Sequence, residues 1–213
     1  MPPSPPRPTP QTVAATRIAA GDDRTRYDDV AIALHWATVL LVILLFALSQ
    51  TWDFAARPTR HLMIVAHMSF GILLALAVVA RIAWRLMPGH QRPAALSGWV
   101  GIASKAVHWM LYAMLAAEAV LGFVLRWSGA EAMSFFGLLI PPPFAPFSKA
   151  THHQVNELHE WLGWAIVIAA TGHALAALYH HLVLRDDVLW RMLPGRQARR
   201  EEARAPSPDR AAG

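Results

Sequence analysis

The sequence predicts an all-α integral membrane protein, a bundle of four transmembrane helices with both termini on the cytoplasmic side. Three observations carry this. The 213 residues are 55% hydrophobic and only 15% charged, against roughly 45–50% and 25% in soluble domains. The apolar residues fall in four blocks, at about 30–50, 62–86, 104–127 and 155–183. Each comes near the roughly 20 residues that cross the hydrocarbon layer as a helix. Lipid offers free backbone groups no partner, so a helix is the reading such runs allow. The basic residues are distributed one-sidedly. With four spans, only Arg57, Arg60, Arg126 and Lys149 fall on one side, and the other fifteen of the 19 Lys and Arg lie with the tails and the second loop. That positive-inside asymmetry puts both tails in the cytoplasm.

Residues 1–25 are Pro-rich without apolar periodicity and are expected to be a disordered tail, as is the Arg/Ala/Pro-rich stretch 196–213. The membrane domain is residues 26–195. A cleaved signal peptide is a poor reading of the first run, which follows a long segment containing Asp22, Asp23, Asp28 and Asp29. Pro88-Gly89 stops the second span. The outer loop, about 128–154, carries Pro141-Pro142-Pro143 with Phe135, Phe136, Phe144 and Phe147, and is expected at headgroup level. Trp36, Trp52, Trp84, Trp127, Trp161 and Trp190 stand near span ends, where amphipathic rings anchor.

The chain has no cysteine, which removes iron–sulfur clusters, covalent c-type haem attachment and disulfides. The net charge of +5 reports topology and not a nucleic-acid partner.

Eleven histidines in so apolar a chain are the anomaly, because an ionisable group inside a span is costly without a partner. His35 lies about five residues into the first span and His67 about five into the second. His159 opens the fourth, and His173 follows it by fourteen residues. At about 100° per residue that spacing returns to nearly the same helix face, with roughly 21 Å between the two along the axis. The first span runs outward, and the second and fourth run back. The level-matched pairs are therefore His35 with His173 in the cytoplasmic half and His67 with His159 in the outer half. Each pair comes from two helices, as clamping a flat macrocycle requires, and neutral imidazole is a common axial haem ligand. Two imidazoles per iron leave no site for oxygen, and outer-sphere electron transfer is the chemistry that remains. Gly71 and Gly163 each lie one turn past a ligand candidate, leaving room for a porphyrin or for close helix packing. A zincin is absent, since Gly163 stands where H-E-x-x-H needs its second histidine after His159-Glu160. The rival class is a haem-free transporter using the histidines as a proton relay.

The stretches YDDVAIALHW (27–36), His67–Arg85 with Gly71 and Arg81, HWMLYAMLAAEAVLG (108–122) and 158–195, with LHEWLGW, GHALAALYHH and LWRMLPG, resemble the bacterial cytochrome b561 family. The resemblance covers about residues 27–195. It implies two haems b on His35, His67, His159 and His173, a bacterial inner-membrane location and electron exchange with ubiquinone. Some members are similar to superoxide:ubiquinone oxidoreductases. Related di-haem subunits anchor separate redox enzymes, which leaves a periplasmic redox protein or a small electron donor as the partner. A homodimer is compatible with the sequence.

On that reading Arg81 is a counter-ion for a propionate of the inner haem, or else snorkels to lipid phosphates. His108, Tyr112, His180 and His181 are candidates for a quinone pocket, or are interfacial polar residues. His108 is also the natural substitute ligand. Glu118 sits in mid-span with its role open: a hydrogen-bonded acid or part of a proton path. His152, His153 and Lys149 belong to a loop that is either solvated or attractive to an anionic donor.

Overall fold

The computed structural model describes residues 28–88, 98–186 and 188–193. Four long helices account for most of them: α1 (Asp29–Thr51), α2 (Arg57–Leu86), α3 (Gly98–Ser128) and α4 (Lys149–Tyr179). All four are long and apolar enough to cross a membrane. The expected disordered tails, 1–25 and 196–213, and Gly89 of the expected stop signal lie outside the described residues.

Local chemistry sets the helix ends. Asp28 caps α1 by accepting from the Ala31 N–H at 2.8 Å, and the same oxygen accepts from Trp84 Nε1 at 2.9 Å. One carboxylate thus starts α1 and holds it to the end of α2. α2 begins at Arg57-Pro58, five residues before the apolar run, because proline suits the first helical turn. α4 likewise begins six residues before its apolar run, where Ser148 accepts from the Thr151 N–H at 3.1 Å. Beyond Tyr179 the helix widens into a π turn, His180–Leu184, which ends at Arg185 with φ 54°.

The helices pack in the order α1 on α2, α2 on α3 and α3 on α4. Leu45, Leu74, Val78, Leu115 and Ile166 form a buried layer with members from all four helices. Leu40, Ile43, Leu76, Val79, Ile102, Val120, Ile168 and Leu175 face outward and exposed. Outward apolar side chains at this density suit lipid as the surrounding solvent.

The outer loop is more ordered than its composition suggests. It forms a hairpin, β1 (Met133–Phe135) with β2 (Leu138–Ile140), pairing Met133 with Ile140 and Phe135 with Leu138. Its two turn residues, Phe136 and Gly137, have φ 48° and 94°, as a primed hairpin turn requires. The left-handed conformation disfavours a bulky residue such as Phe136. It is held because its N–H donates to Ser69 Oγ at 2.9 Å. Ser69 is fully buried in α2, and its hydroxyl faces Val65 O at 2.8 Å and Ser134 O at 3.3 Å. A second strut joins the start of α4 to the end of α3, with His152 Nδ1 2.8 Å from Ser128 Oγ.

Tryptophans clasp the ends of the bundle. Trp36 Nε1 donates to Met192 O at 2.7 Å, and Trp127 Nε1 donates to Ile140 O at 3.4 Å.

Candidate functional site

Five of the described histidines fall into two groups, on either side of the level of the buried apolar layer. In the group nearer the hairpin, His67 of α2 and His159 of α4 face each other with ring centroids 6.3 Å apart and planes at 86°. Metal–imidazole bonds run to roughly 2.0–2.1 Å and a ring nitrogen sits about 1.1 Å from its ring centre, so two imidazoles on opposite sides of one metal have centroids about 6.2–6.4 Å apart. The observed spacing matches.

The second nitrogens tell the same story. His67 Nδ1 lies 3.1 Å from Leu45 O. A carbonyl can only accept, so Nδ1 carries the proton and the Nε2 lone pair is left available. His159 Nδ1 lies 3.1 Å from Glu118 Oε1, though off hydrogen-bond alignment, and Glu118 Oε2 is buried with no partner. Metal-ligating histidines characteristically direct their other nitrogen at a carbonyl or carboxylate in this way.

The two glycines differ. A Cβ on Gly71, one turn from His67, would meet nothing within 4 Å. A Cβ on Gly163, one turn from His159, would meet Glu118 Oε1 at 3.3 Å. Gly163 therefore clears room for the Glu118 carboxylate. Trp52 closes the group from the end of α1, its ring 5.3 Å from that of His67.

At the other end, His35, His108 and His173 lie within electrostatic reach of one another and of Arg81. The rings of His108 and His173 are 5.1 Å apart. Arg81 Nη2 is 3.2 Å from His35 Nδ1, and its guanidinium lies 5.0 Å from the centre of the buried Tyr112 ring. His108 Nδ1 donates to Ser104 O at 2.6 Å. The inner group thus gathers the two ligand candidates with Arg81, His108 and Tyr112. Among the described residues no three His, Cys, Asp or Glu side chains converge closely enough to hold a bare metal ion.

The other two quinone candidates have local neighbours. His180 Nδ1 is 2.5 Å from Asp186 Oδ2 across the π turn, and the His181 ring packs 5.1 Å from Trp190. Burial pushes the Asp186 carboxyl up, but the hydrogen bonds from His180 and the Val188 N–H outweigh it, leaving the carboxyl below its usual 3.8. His152 serves as the strut described above, and exposed His153 lies 3.5 Å from Glu157.

Comparison with known proteins agrees with this architecture. Residues 26–195 match the sequence profile described as prokaryotic cytochrome b561. The chain belongs to the prokaryotic cytochrome b561 family. It is 31% identical over 172 residues to cytochrome b561 homolog 2 of Escherichia coli (strain K12), covering 79% of this chain and 91% of that one. It is 30% identical over 174 residues to the probable superoxide oxidase CybB of Yersinia pestis, covering 79% and 96%. Cytochrome b561 homolog 1 of E. coli is 29% identical over 179 residues, covering 81% and 99%. This cytochrome is therefore a multi-pass bacterial membrane protein of electron transfer, of a family that holds b-type haem. The donor set suits that group: two imidazoles at a metal-sharing distance, His67 with Nδ1 bonded to Leu45 O, a carboxylate 3.1 Å from His159 Nδ1, and open space beside His67 at Gly71.

Sequence reasoning passed over Ser69, whose only signal was a small polar residue in an apolar run. It noticed Glu118 without finding its partner.

Proposed function

We propose that this chain carries single electrons across the bacterial inner membrane between two haems b, exchanging them with ubiquinone. His67 and His159 hold the periplasmic-side haem, and His35 and His173 the cytoplasmic-side one, with both termini cytoplasmic. The 6.3 Å spacing of the His67 and His159 rings carries this reading. When bound, haem b supplies a one-electron donor and acceptor on each side of the apolar layer.

The chain's own residues do the rest. Leu45 O accepts from His67 Nδ1, which keeps the His67 Nε2 for ligation, and the Glu118 carboxylate stands 3.1 Å from His159 Nδ1. Leu45, Leu74, Val78, Leu115 and Ile166 exclude water between the two groups. Arg81 places a positive charge beside the inner group, where a propionate is its natural partner. Tyr112 offers a hydroxyl beside Arg81, suited to a quinone carbonyl, and His108, whose ring proton goes to Ser104 O, offers its Nε2 next to His173 as an acceptor for a quinol proton. The similarity to the Yersinia pestis protein named probable superoxide oxidase CybB supports superoxide as an outer electron donor.

A pyridine haemochrome count and a reduced-minus-oxidised spectrum on the purified protein test the reading. Two low-spin haems per chain are expected. His67→Ala or His159→Ala should remove one of them, and His35→Ala or His173→Ala the other. Four single variants that all keep two haems would sink the assignment. Haem reduction by superoxide, passed on to ubiquinone by the chain alone, supports the superoxide reading. Quinone activity only with a co-purifying redox protein would make the chain that protein's membrane anchor.

A further inference from the structure

Glu118 is a carboxylate inside a membrane span, with its side chain 16% exposed and His159, at 23%, its ionisable neighbour. The two approach to 3.1 Å from different helices, α3 and α4. Neither His159 Nδ1 nor Glu118 Oε2 has a hydrogen-bond partner, so a small turn of the imidazole toward Glu118 is opposed by no competing bond.

The surrounding glycines are reciprocal. Gly122 lies one turn after Glu118 on α3, and a Cβ there would touch His159 Cε1 at 3.5 Å. Gly163 lies one turn after His159 on α4, and a Cβ there would press on Glu118 Oε1 at 3.3 Å. Helical side chains lean toward the N-terminal turn. Each helix therefore carries its partner residue and, one turn on, the clearance for the other helix's partner. An incidental polar contact needs clearance on neither side, whereas this one has it on both.

We propose that Glu118 is a positioning residue for His159: its carboxylate accepts a hydrogen bond from Nδ1–H, fixes the ring with Nε2 left for the iron, and holds the midpoint potential of that haem down. An acceptor on Nδ1–H makes imidazole a stronger electron donor, and a stronger donor favours the oxidised metal. The proposal rests on His159 being a ligand.

The test is a potentiometric titration of the two-haem protein in detergent, comparing Glu118→Gln, Glu118→Leu and Gly163→Ala with the parent. The affected haem is identified as the one missing from His159→Ala. Its reduction equilibrium constant should rise roughly tenfold in Glu118→Leu, about 59 mV for one electron, and by less in Glu118→Gln, which keeps an acceptor without the charge. Gly163→Ala, which displaces the carboxylate, should shift the same haem in the same direction. The other haem should not move. Loss of the outer haem alone from Glu118→Leu also supports the role, and near-isosteric Glu118→Gln still gives a potential to read. Midpoints unchanged to within twofold in equilibrium constant, or both haems shifting alike, would reduce Glu118 to a helix-packing residue. If His159→Ala itself keeps both haems, the ligand assignment has failed instead.

Discussion

The Arg81 guanidinium lies 3.2 Å from Nδ1 of His35, and that contact is incompatible with His35 ligating through its other nitrogen. Arginine only donates, so a neutral His35 accepts at Nδ1 and carries its proton on Nε2. Ligation at Nε2 requires the other tautomer, which releases Arg81 toward a new anionic partner. A cation near a haem favours the reduced form. Arg81→Leu should therefore lower the inner-haem reduction constant by roughly tenfold, about 59 mV, with haem content retained. An unmoved midpoint would show that Arg81 serves the lipid surface.

His108 sits 5.1 Å from His173 with Nδ1 bonded to Ser104 O, a posture suited either to a ligand or to a hydrogen-bonding group. His108→Ala should keep two haems and slow quinone reduction on the order of a hundredfold, as loss of a proton-handling side chain does. A one-haem product would exchange the roles of His108 and His35.

Gly71 faces open space beside His67. Gly71→Leu fills it and should cut outer-haem occupancy, read as a fall from two haems per chain toward one. The variant should still insert in the membrane. Full occupancy would assign Gly71 to helix packing.

Ser69 holds the outer hairpin through the Phe136 N–H. Ser69→Ala removes the acceptor of that part-buried bond, at a cost of about 0.5–1.5 kcal/mol. Hydrogen exchange at 133–140 should speed up while both haem spectra persist. Unchanged exchange would mean the strand pairing alone maintains the turn.

Asp186 has its carboxyl pKa depressed below 3.8. A depressed acid stabilises above its unfolded value, and the contribution fades as pH falls through the folded one. The π turn should therefore stay closed from neutral pH down to about 4, and loosen only in stronger acid. Asp186→Asn should loosen it at pH 7, seen as faster exchange at 180–186.

The four spans were legible because lipid imposes a simple rule: an apolar run of sufficient length must become a helix. The grouping of His67 with His159 was also legible, since span direction fixes depth and a fourteen-residue interval fixes face. Helix ends were less so. α2 and α4 extend beyond their apolar runs because Pro58 in the first turn and the Ser148 cap start each helix at residues that hydropathy does not mark. The hairpin has no clear sequence signal because its turn residue Phe136 is a poor left-handed former, and what holds it is Ser69, 67 positions away. The Glu118 contact with His159 was hidden for a similar reason. It depends on how α3 is rotated against α4, which apolar periodicity does not encode when lipid and protein are equally greasy.

The layer of Leu45, Leu74, Val78, Leu115 and Ile166 has a consequence for energy conservation. These five side chains offer a crossing ion no polar partner, so on the proposed route an electron that crosses alone displaces one uncompensated charge. That displacement is worth about 2.3 kcal/mol per 100 mV of membrane voltage. Turnover in sealed vesicles should slow or quicken with the sign of an imposed diffusion potential, coupling this small cytochrome to the cell's proton-motive force. A rate indifferent to voltage would place entry and exit of the electron on the same side.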